Sequence, residues 1–240
     1  MQETKEFIAA DGAKVQVEVN SAEGNKAAVL MVHGFTGDVN EHIFYNAAQS
    51  WPKKGLDVWR ISLYPGEPAG TRLMTHVTWQ QNLSDIALVL KEMGQRYESL
   101  FLAGHSMGGV LATYSSHPKI KAKALWDPAL GFQPSDFAAE ALNANYHTIH
   151  WGCAILVSKK YSEECFEASR YLAEIPIQPP ILVVRATDFF GGWPKARIAA
   201  RVVLIKDSDH CFNKEGNEKK LFSLTLNFFK KHMGAQLGVA

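Results

Sequence analysis

The chain has 240 residues, of which 47% are hydrophobic, and this is enough to bury one large core in a single domain. Lysine and arginine (25 residues) nearly balance aspartate and glutamate (24), so the sequence offers no basic face and predicts no nucleic-acid partner. No apolar run approaches the roughly 20 residues that span a bilayer, and the N-terminus is too polar for a signal peptide, so the sequence predicts a cytoplasmic protein without a membrane span.

Strands and helices alternate along the first half of the chain. Two short segments of alternating polarity on either side of Asp11-Gly12 predict an opening hairpin. The apolar run AAVLMVHG predicts a buried strand, HIFYNAAQSWPKKG an amphipathic helix, and LDVWRISL a further strand. From about Thr75 to Arg96, apolar residues recur at helical spacing and predict a long helix.

The same alternation continues to the C-terminus. SLFLAG predicts a strand and MGGVLATYSS a helix, and these are followed by the strands KAKALW, ILVVRA and ARVVLIKD and by the amphipathic helix LFSLTLNFFKKHM. Continuous apolar strands between helices predict an α/β fold, in which a mostly parallel sheet is covered by helices on both faces. Functional residues in such a sheet lie at the carboxyl ends of the strands.

One long segment, residues 129–179, interrupts this alternation, and its sequence predicts an irregular structure. It is rich in aromatic, histidine and small residues and is too long to be an ordinary connection. Such a segment is either a cap over the site or a disordered insertion, and its hydrophobicity favours the cap. We therefore expect a single domain, residues 1–240, with residues 129–179 as a small cap inserted into it.

The pentapeptide GHSMG places Ser106 where a predicted strand gives way to a predicted helix. A serine on such a sharp turn has a strained backbone, and glycines two residues away on each side remove the Cβ atoms that would collide there. The helix that follows points N–H groups towards the serine and favours negative charge. The pattern predicts Ser106 as a nucleophile, and a tight glycine turn with an incidental serine is the alternative interpretation.

GHSMGG, together with HGFTG at residues 33–37, resembles the α/β-hydrolase family, in particular its compact serine esterases of the feruloyl-esterase-like and monoglyceride-lipase-like kinds. The resemblance covers nearly the whole chain in element order, with residues 129–179 as the variable part. It implies the α/β-hydrolase fold and an oxyanion hole formed by the backbone N–H groups of Phe35 and Met107. It also implies that a carboxylic ester is cleaved through an acyl-enzyme intermediate.

A nucleophilic serine needs a histidine to accept its proton and a carboxylate to hold that histidine in the right tautomer. In the resembled family the order is serine, acid, histidine, and His210 occupies the expected loop after the last predicted strand. Asp188, after ILVVRA, matches the usual position of the acid, whereas Asp127, after KALW, matches the position that some lipases use. The sequence favours Asp188 and leaves Asp127 as the alternative acid.

Aromatic residues near the predicted site suggest a substrate pocket formed by Trp151, Phe189 and Trp193. The alternative interpretation is that Trp151 packs the cap against the body and that Phe189 and Trp193 anchor a surface loop. The histidines of YHTIHWGC lack a carboxylate at a defined offset, so we expect no metal site. The three cysteines form no CxxC pair and predict neither a disulfide framework nor a zinc site. The predicted hydrolysis needs no cofactor.

The leading prediction is therefore a serine esterase that acts on small-molecule esters as a monomer or a homodimer. A thioesterase, an amidase or a peptidase would use the same triad, and a non-catalytic ligand-binding protein would use the same fold. The presence of serine, histidine and aspartate at their expected positions favours catalysis over binding alone.

Overall fold

The computed structural model describes residues 1–65, 70–129, 140–150, 154–170, 179–186 and 200–233. Its strands are β1 (Gln2–Ile8), β2 (Lys14–Asn20), β3 (Ala27–Val32), β4 (Asp57–Ser62), β5 (Ser99–His105), β6 (Ile120–Trp126), β7 (Glu140–Ala141), β8 (Tyr146–His150), β9 (Ala154–Ser158), β10 (Ile181–Arg185) and β11 (Ala200–Leu204). Its α-helices are α1 (His42–Ser50), α2 (Trp79–Arg96), α3 (Met107–Tyr114), α4 (Lys159–Arg170) and α5 (Asn217–Met233). Within the described residues, none of these helices is long and apolar enough to cross a membrane.

The main sheet runs in the order β1-β2-β4-β3-β5-β6-β10-β11. The predicted hairpin is confirmed: β1 pairs antiparallel with β2, and Gly12 in the turn adopts a φ of 82° that suits glycine. β2 also pairs antiparallel with β4. The remaining neighbours in this sheet, in the spatial order β4-β3-β5-β6-β10-β11, all pair parallel. The predicted mostly parallel sheet is thus confirmed, and the carboxyl ends of β3, β5, β6 and β10 lie at one edge.

Helices cover both faces of this sheet, as the continuous apolar strands predict. Side chains of α2 and α3 pack on one face, among them Ile86 and Val110. Side chains of α1 and α5 pack on the other, among them Phe44 and Phe229. Because successive side chains of a strand point to opposite faces, a strand covered on both sides is buried throughout, as β3 is.

The long helix begins at Trp79, later than the predicted start near Thr75, because Thr78 caps it. The Thr78 hydroxyl accepts a hydrogen bond from the Gln81 N–H at 3.2 Å, and the Gln81 side-chain oxygen accepts one from the Thr78 N–H at 2.8 Å. These reciprocal bonds form a capping box, which fixes where a helix starts.

Residues 129–179 are more regular than predicted. In the described part of this segment, β7, β8 and β9 form a small antiparallel sheet, and α4 follows β9 directly. Helix α4 buries Tyr161, Cys165 and Phe166 on one face, and its Glu164 carboxylate accepts the Trp79 N–H of α2 at 2.7 Å. The interpretation of this segment as irregular is therefore wrong for its described residues. Its role as a cap stays a prediction.

Candidate active site

Ser106 lies on the turn that joins β5 to α3, as predicted. Its φ of 54° and ψ of -122° are a conformation that costs a non-glycine residue roughly 1–3 kcal/mol. Backbone hydrogen bonds hold the turn in this conformation. The Ser106 N–H donates to the Trp126 carbonyl at 3.0 Å, and the Ser106 carbonyl accepts from Gly109 at 3.0 Å and from Ala129 at 3.1 Å. The surrounding backbone thus offsets the strain and fixes where the hydroxyl stands.

Glycines permit the close backbone approach that this turn requires. A Cβ atom on Gly104 would collide with the carbonyl oxygen of Gly108. A Cβ atom on Gly108 would collide with the carbonyl oxygens of Val32 and His33, at the end of β3. The two glycines of the G-x-S-x-G pattern are therefore required, because a Cβ atom fits at neither position. Without these atoms, the serine turn can pack directly against the loop after β3.

His210 lies in the loop between β11 and α5, where the sequence predicts it. Its Nδ1 lies 2.7 Å from Asp127 Oδ2, and its side chain is 18% exposed. Because a carboxylate only accepts hydrogen bonds, Nδ1 of the neutral ring carries the hydrogen and Nε2 carries the lone pair. An imidazole in this tautomer is suited to accept a proton through Nε2.

Asp127 follows β6 and is fully buried, with a backbone φ of 39°. Its Oδ2 accepts the hydrogen bond from His210, and its Oδ1 accepts one from the Ala186 N–H at 3.2 Å. Arg185 Nε lies 3.4 Å from the same Oδ1 atom. A buried carboxylate is costly unless it is paired, and these contacts offset that cost and orient the group towards His210.

Asp188, the acid that the sequence favours, lies outside the described residues, as do the three predicted pocket residues Trp151, Phe189 and Trp193. The carboxylate that the structure places on His210 is the alternative, Asp127. The strand order explains this contact. Strand β6 lies directly beside β5, so the residue after β6 comes next to the turn after β5.

The loop after β3 fixes the orientation of the Phe35 amide. The Gly34 carbonyl accepts hydrogen bonds from His33 Nδ1 at 2.9 Å and from the Tyr64 hydroxyl at 2.8 Å. His33 Nε2 accepts the Leu63 N–H at 3.1 Å, and burial lowers the pKa of His33 to about 4, so its ring is neutral and donates from Nδ1. Because C=O and N–H point in opposite directions across a trans peptide, the Phe35 N–H points away from His33 and Tyr64.

Met107 is the first residue of α3. The N–H groups of the first helical turn have no carbonyl partner inside the helix, and this end of a helix favours negative charge. Phe35 and Met107 both line the cavity that contains Ser106. These positions are compatible with the predicted oxyanion hole, which stays a prediction.

Above the serine turn lies a cavity of about 120 Å³. Its apolar lining residues are Phe35, Met107, Ala129, Ile149, Cys165 and Phe166. Its polar lining residues include Glu41, His105, Ser106, Ser162 and His210. Its size is close to that of cavities of about 150 Å³ that hold benzene, so a small acyl group fits. Ser106 and His210 thus share one small, largely apolar space.

Sequence reasoning missed several members of this cavity. Ile149 comes from β8, and Cys165 and Phe166 come from α4, which were not predicted as regular elements. The four-residue spacing of Tyr161 and Cys165 is the feature of the sequence that could have indicated helix α4. Glu41 precedes α1 as an ordinary polar residue, and nothing in the sequence indicates that its side chain reaches the site.

The family model described as "Alpha/beta hydrolase family" matches residues 29–219 of the sequence. The match includes the loop after β3, the serine turn and His210. No curated protein matches the sequence.

Solved structures of low sequence identity share the fold over nearly the whole chain. Est1E from Butyrivibrio proteoclasticus, with ferulic acid bound, has a TM-score of 0.74 at 18% identity, covering 97% of this chain and 99% of its own. Alpha/beta hydrolase domain-containing protein 10 from mouse has a TM-score of 0.76 at 14% identity, with 95% and 99% covered. A soluble variant of monoglyceride lipase from Saccharomyces cerevisiae, in complex with a substrate analogue, has a TM-score of 0.72 at 14% identity, with 97% and 95% covered.

Proposed function

Because this chain belongs to the alpha/beta hydrolase family, we propose that it is a serine esterase that cleaves carboxylic esters of small molecules. In this proposal Ser106 is the nucleophile, His210 is the general base and Asp127 orients His210. The observation that carries the proposal is the 2.7 Å contact between His210 Nδ1 and Asp127 Oδ2, because it gives the ring that shares a cavity with Ser106 the tautomer of a general base.

In the first half of the reaction, Ser106 Oγ attacks the ester carbonyl carbon while His210 Nε2 takes the hydroxyl proton. The carbonyl oxygen becomes an oxyanion between the N–H groups of Phe35 and Met107. Removing one donor of such a hole typically costs about 10²–10³-fold in kcat. The bond to the leaving oxygen then breaks, His210 gives its proton to the departing alcohol, and the acyl group stays on Ser106.

In the second half, water takes the place of the alcohol. The water oxygen attacks the acyl carbon while His210 Nε2 accepts a proton from the water. The bond to Ser106 Oγ breaks, the proton returns to Ser106, and the carboxylic acid leaves. Asp127 stabilises the imidazolium in both halves and stays ionised throughout.

Three features support a small carboxylic ester as the substrate. The cavity is small and largely apolar, and no lysine or arginine is found among its described lining residues. Two structures with the same fold contain bound ligands: ferulic acid is bound to Est1E, and a substrate analogue is bound to monoglyceride lipase. The aromatic pocket of Trp151, Phe189 and Trp193 belongs to this proposal as a prediction from the sequence.

Hydrolysis of a series of p-nitrophenyl esters with increasing acyl length tests the proposal. We expect turnover by the wild-type protein, with a preference for short acyl chains. In the Ser106→Ala variant we expect kcat to fall by about 10³-fold or more. Ser116→Ala, which removes an exposed serine beyond α3, is the matched control and should keep wild-type turnover.

Equal turnover by wild-type protein and Ser106→Ala would contradict the proposal. The same panel includes acyl-CoA thioesters and aminoacyl p-nitroanilides. Faster turnover of either class than of the oxygen esters would assign the triad to a thioesterase or an amidase. Absence of turnover with every substrate would favour a ligand-binding protein.

A further inference from the structure

Glu41 and His105, which the proposed reaction does not use, share the cavity wall with Ser106. Glu41 directly precedes α1, and His105 is the last residue of β5. Their polar atoms face each other, with Glu41 Oε2 lying 3.9 Å from His105 Nδ1. We call these two side chains the acceptor pair.

His105 presents a lone pair at Nδ1. Its Nε2 lies 2.9 Å from the carbonyl oxygen of His210, which only accepts hydrogen bonds, so Nε2 must carry the hydrogen. The residue is 4% exposed, and burial lowers the pKa of His105 to about 3, so the ring is neutral at pH 7. Among the described residues, nothing donates a hydrogen bond to Nδ1. This atom is therefore a buried acceptor without a donor.

Glu41 supplies the second acceptor, and it is charged. Its Oε1 accepts the Asp38 N–H at 3.3 Å, which leaves Oε2 facing His105. Burial raises the pKa of Glu41 to about 6, and at pH 7 the group is therefore mainly a carboxylate. The side chain keeps 32% exposure, so a ligand can reach it from solvent as well as from the cavity.

A single cationic nitrogen satisfies both acceptors. Buried acceptors are costly when they lack a donor, and a primary ammonium brings three N–H donors and a positive charge. A nitrogen at about 2.8 Å from both atoms would make an angle of about 90° with them, which two N–H bonds of one ammonium can approach. A hydroxyl has one hydrogen and no charge, so it satisfies one acceptor only.

The acceptor pair lies next to the imidazole that gives its proton to the leaving group in the proposed reaction. His210, which passes its proton to the leaving group, has its ring 4.6 Å from the His105 ring. The space next to Nδ1 also adjoins the reaction centre. A Cβ atom on Gly34 would stand 3.6 Å from His105 Nδ1 and 3.0 Å from Ser106 Cβ.

We propose that the acceptor pair binds a primary ammonium group on the alcohol part of the substrate, so that this protein prefers esters of amino alcohols. One N–H donates to Glu41 Oε2, another donates to His105 Nδ1, and the third faces solvent. The inference rests on the proposed function, because it identifies the leaving group of that reaction.

Three butyrate esters of equal size test the preference: butyl, 3-hydroxypropyl and 3-aminopropyl butyrate. At pH 7 and low ionic strength, we expect kcat/KM for the aminopropyl ester to exceed that for the butyl ester by about tenfold or more, as for a hydrogen bond to a charged group. In Glu41→Gln this ratio should fall to about one, because the amide has no charge. Glu23→Gln, an exposed glutamate in the turn before β3, is the matched control and should keep the ratio.

Binding to the Ser106→Ala protein gives a measurement that does not depend on turnover. We expect 3-aminopropyl butyrate to bind about tenfold more tightly than butyl butyrate and to shift the His105 ring signals in NMR spectra. If this result holds while wild-type protein hydrolyses neither ester, the proposed function fails and the ammonium site stands.

The opposite outcomes overturn the inference. Hydrolysis of the butyl and aminopropyl esters with equal kcat/KM, together with equal binding, means that water alone occupies the acceptor pair, while the proposed esterase function stands. A higher kcat/KM for the hydroxypropyl ester than for the aminopropyl ester would mean that the acceptor pair binds a hydroxyl group and not an ammonium group. If Glu41→Gln leaves the kcat/KM ratio of the aminopropyl ester to the butyl ester unchanged, Glu41 does not bind the ammonium group.

Discussion

At the scale of single residues, Asp127 bears on the proposed mechanism most directly. Its φ of 39° is rare for a residue other than glycine, and such conformations persist where the surrounding structure enforces them. The carboxylate is fully buried and accepts hydrogen bonds from His210 and from the Ala186 N–H. Strain and burial together hold one carboxylate in one orientation, as the proposed triad needs.

We predict that Asp127→Asn lowers kcat for p-nitrophenyl esters by about 10⁴-fold. An asparagine amide can donate to Nδ1, which moves the histidine hydrogen to Nε2 and removes the lone pair that accepts the serine proton. Circular dichroism should report an unchanged fold, because the two side chains are isosteric. Asp188→Asn is the comparison variant and should keep most of the activity. The reverse pattern, with Asp127→Asn active and Asp188→Asn inactive, would make Asp188 the acid.

The sequence indicates Ser106 because it lies in a motif with its own local geometry, and it indicates His210 because this residue follows the last predicted strand, where the resembled family has its histidine. It leaves the acid open because Asp127 and Asp188 both follow apolar strands, and sequence order does not say which strand end lies nearer His210. Glu41 and His105 could not be paired from the sequence, because their contact depends on how the loop before α1 folds over the end of β5.

At the scale of elements, the strands of the main sheet were predictable because burial on both faces leaves continuous apolar runs. Helix α2 was predictable from its spacing, but its start was not, because the Thr78–Gln81 capping box determines that position. Strands β8 and β9 consist mostly of partly buried and exposed residues, with one buried residue each, Ile149 and Val157, and a pattern this weak predicts little. Helix α4 buries one narrow face, so its apolar positions are sparse along the sequence.

At the scale of the whole molecule, the order of strands in the sheet is what assembles the site. Sequence patterns predict parallel strands, but the order β3-β5-β6-β10 is a product of long-range packing. This order brings the loop after β3, the serine turn after β5 and Asp127 after β6 side by side. The cytoplasmic location and the monomeric or homodimeric state stay predictions from the sequence.

Two buried neutral histidines make the stability of the whole molecule sensitive to acid. The pKa of His33 is lowered to about 4 and that of His105 to about 3, mainly by burial. Unfolded histidines take up protons near pH 6.5, so below this pH the unfolded state binds more protons and the free energy of unfolding falls. Burial raises the pKa of Glu41 and of Asp85 to about 6, which has the opposite effect between about pH 6 and pH 4.

A comparison of the wild-type protein with His33→Asn isolates the histidine contribution, because the carboxyl effects are common to both. Between pH 6.5 and pH 4.5 we expect the free energy of unfolding of the wild type to fall by roughly 2 kcal/mol more than that of His33→Asn. Asparagine keeps a donor for the Gly34 carbonyl and does not titrate. Urea denaturation at several pH values measures the difference, and parallel curves for the two proteins would mean that His33 does not titrate as its burial implies.

If Ser106 is a nucleophile that His210 activates, it should react covalently with an electrophilic phosphonate. The protein is treated with a fluorophosphonate, and the site and stoichiometry of labelling are read by intact and peptide mass spectrometry. We expect one phosphonyl group per chain, attached to Ser106, and loss of this label in His210→Ala. An unlabelled protein or a label on another residue would contradict a nucleophilic role of Ser106, and equally fast labelling of His210→Ala would contradict its activation by His210.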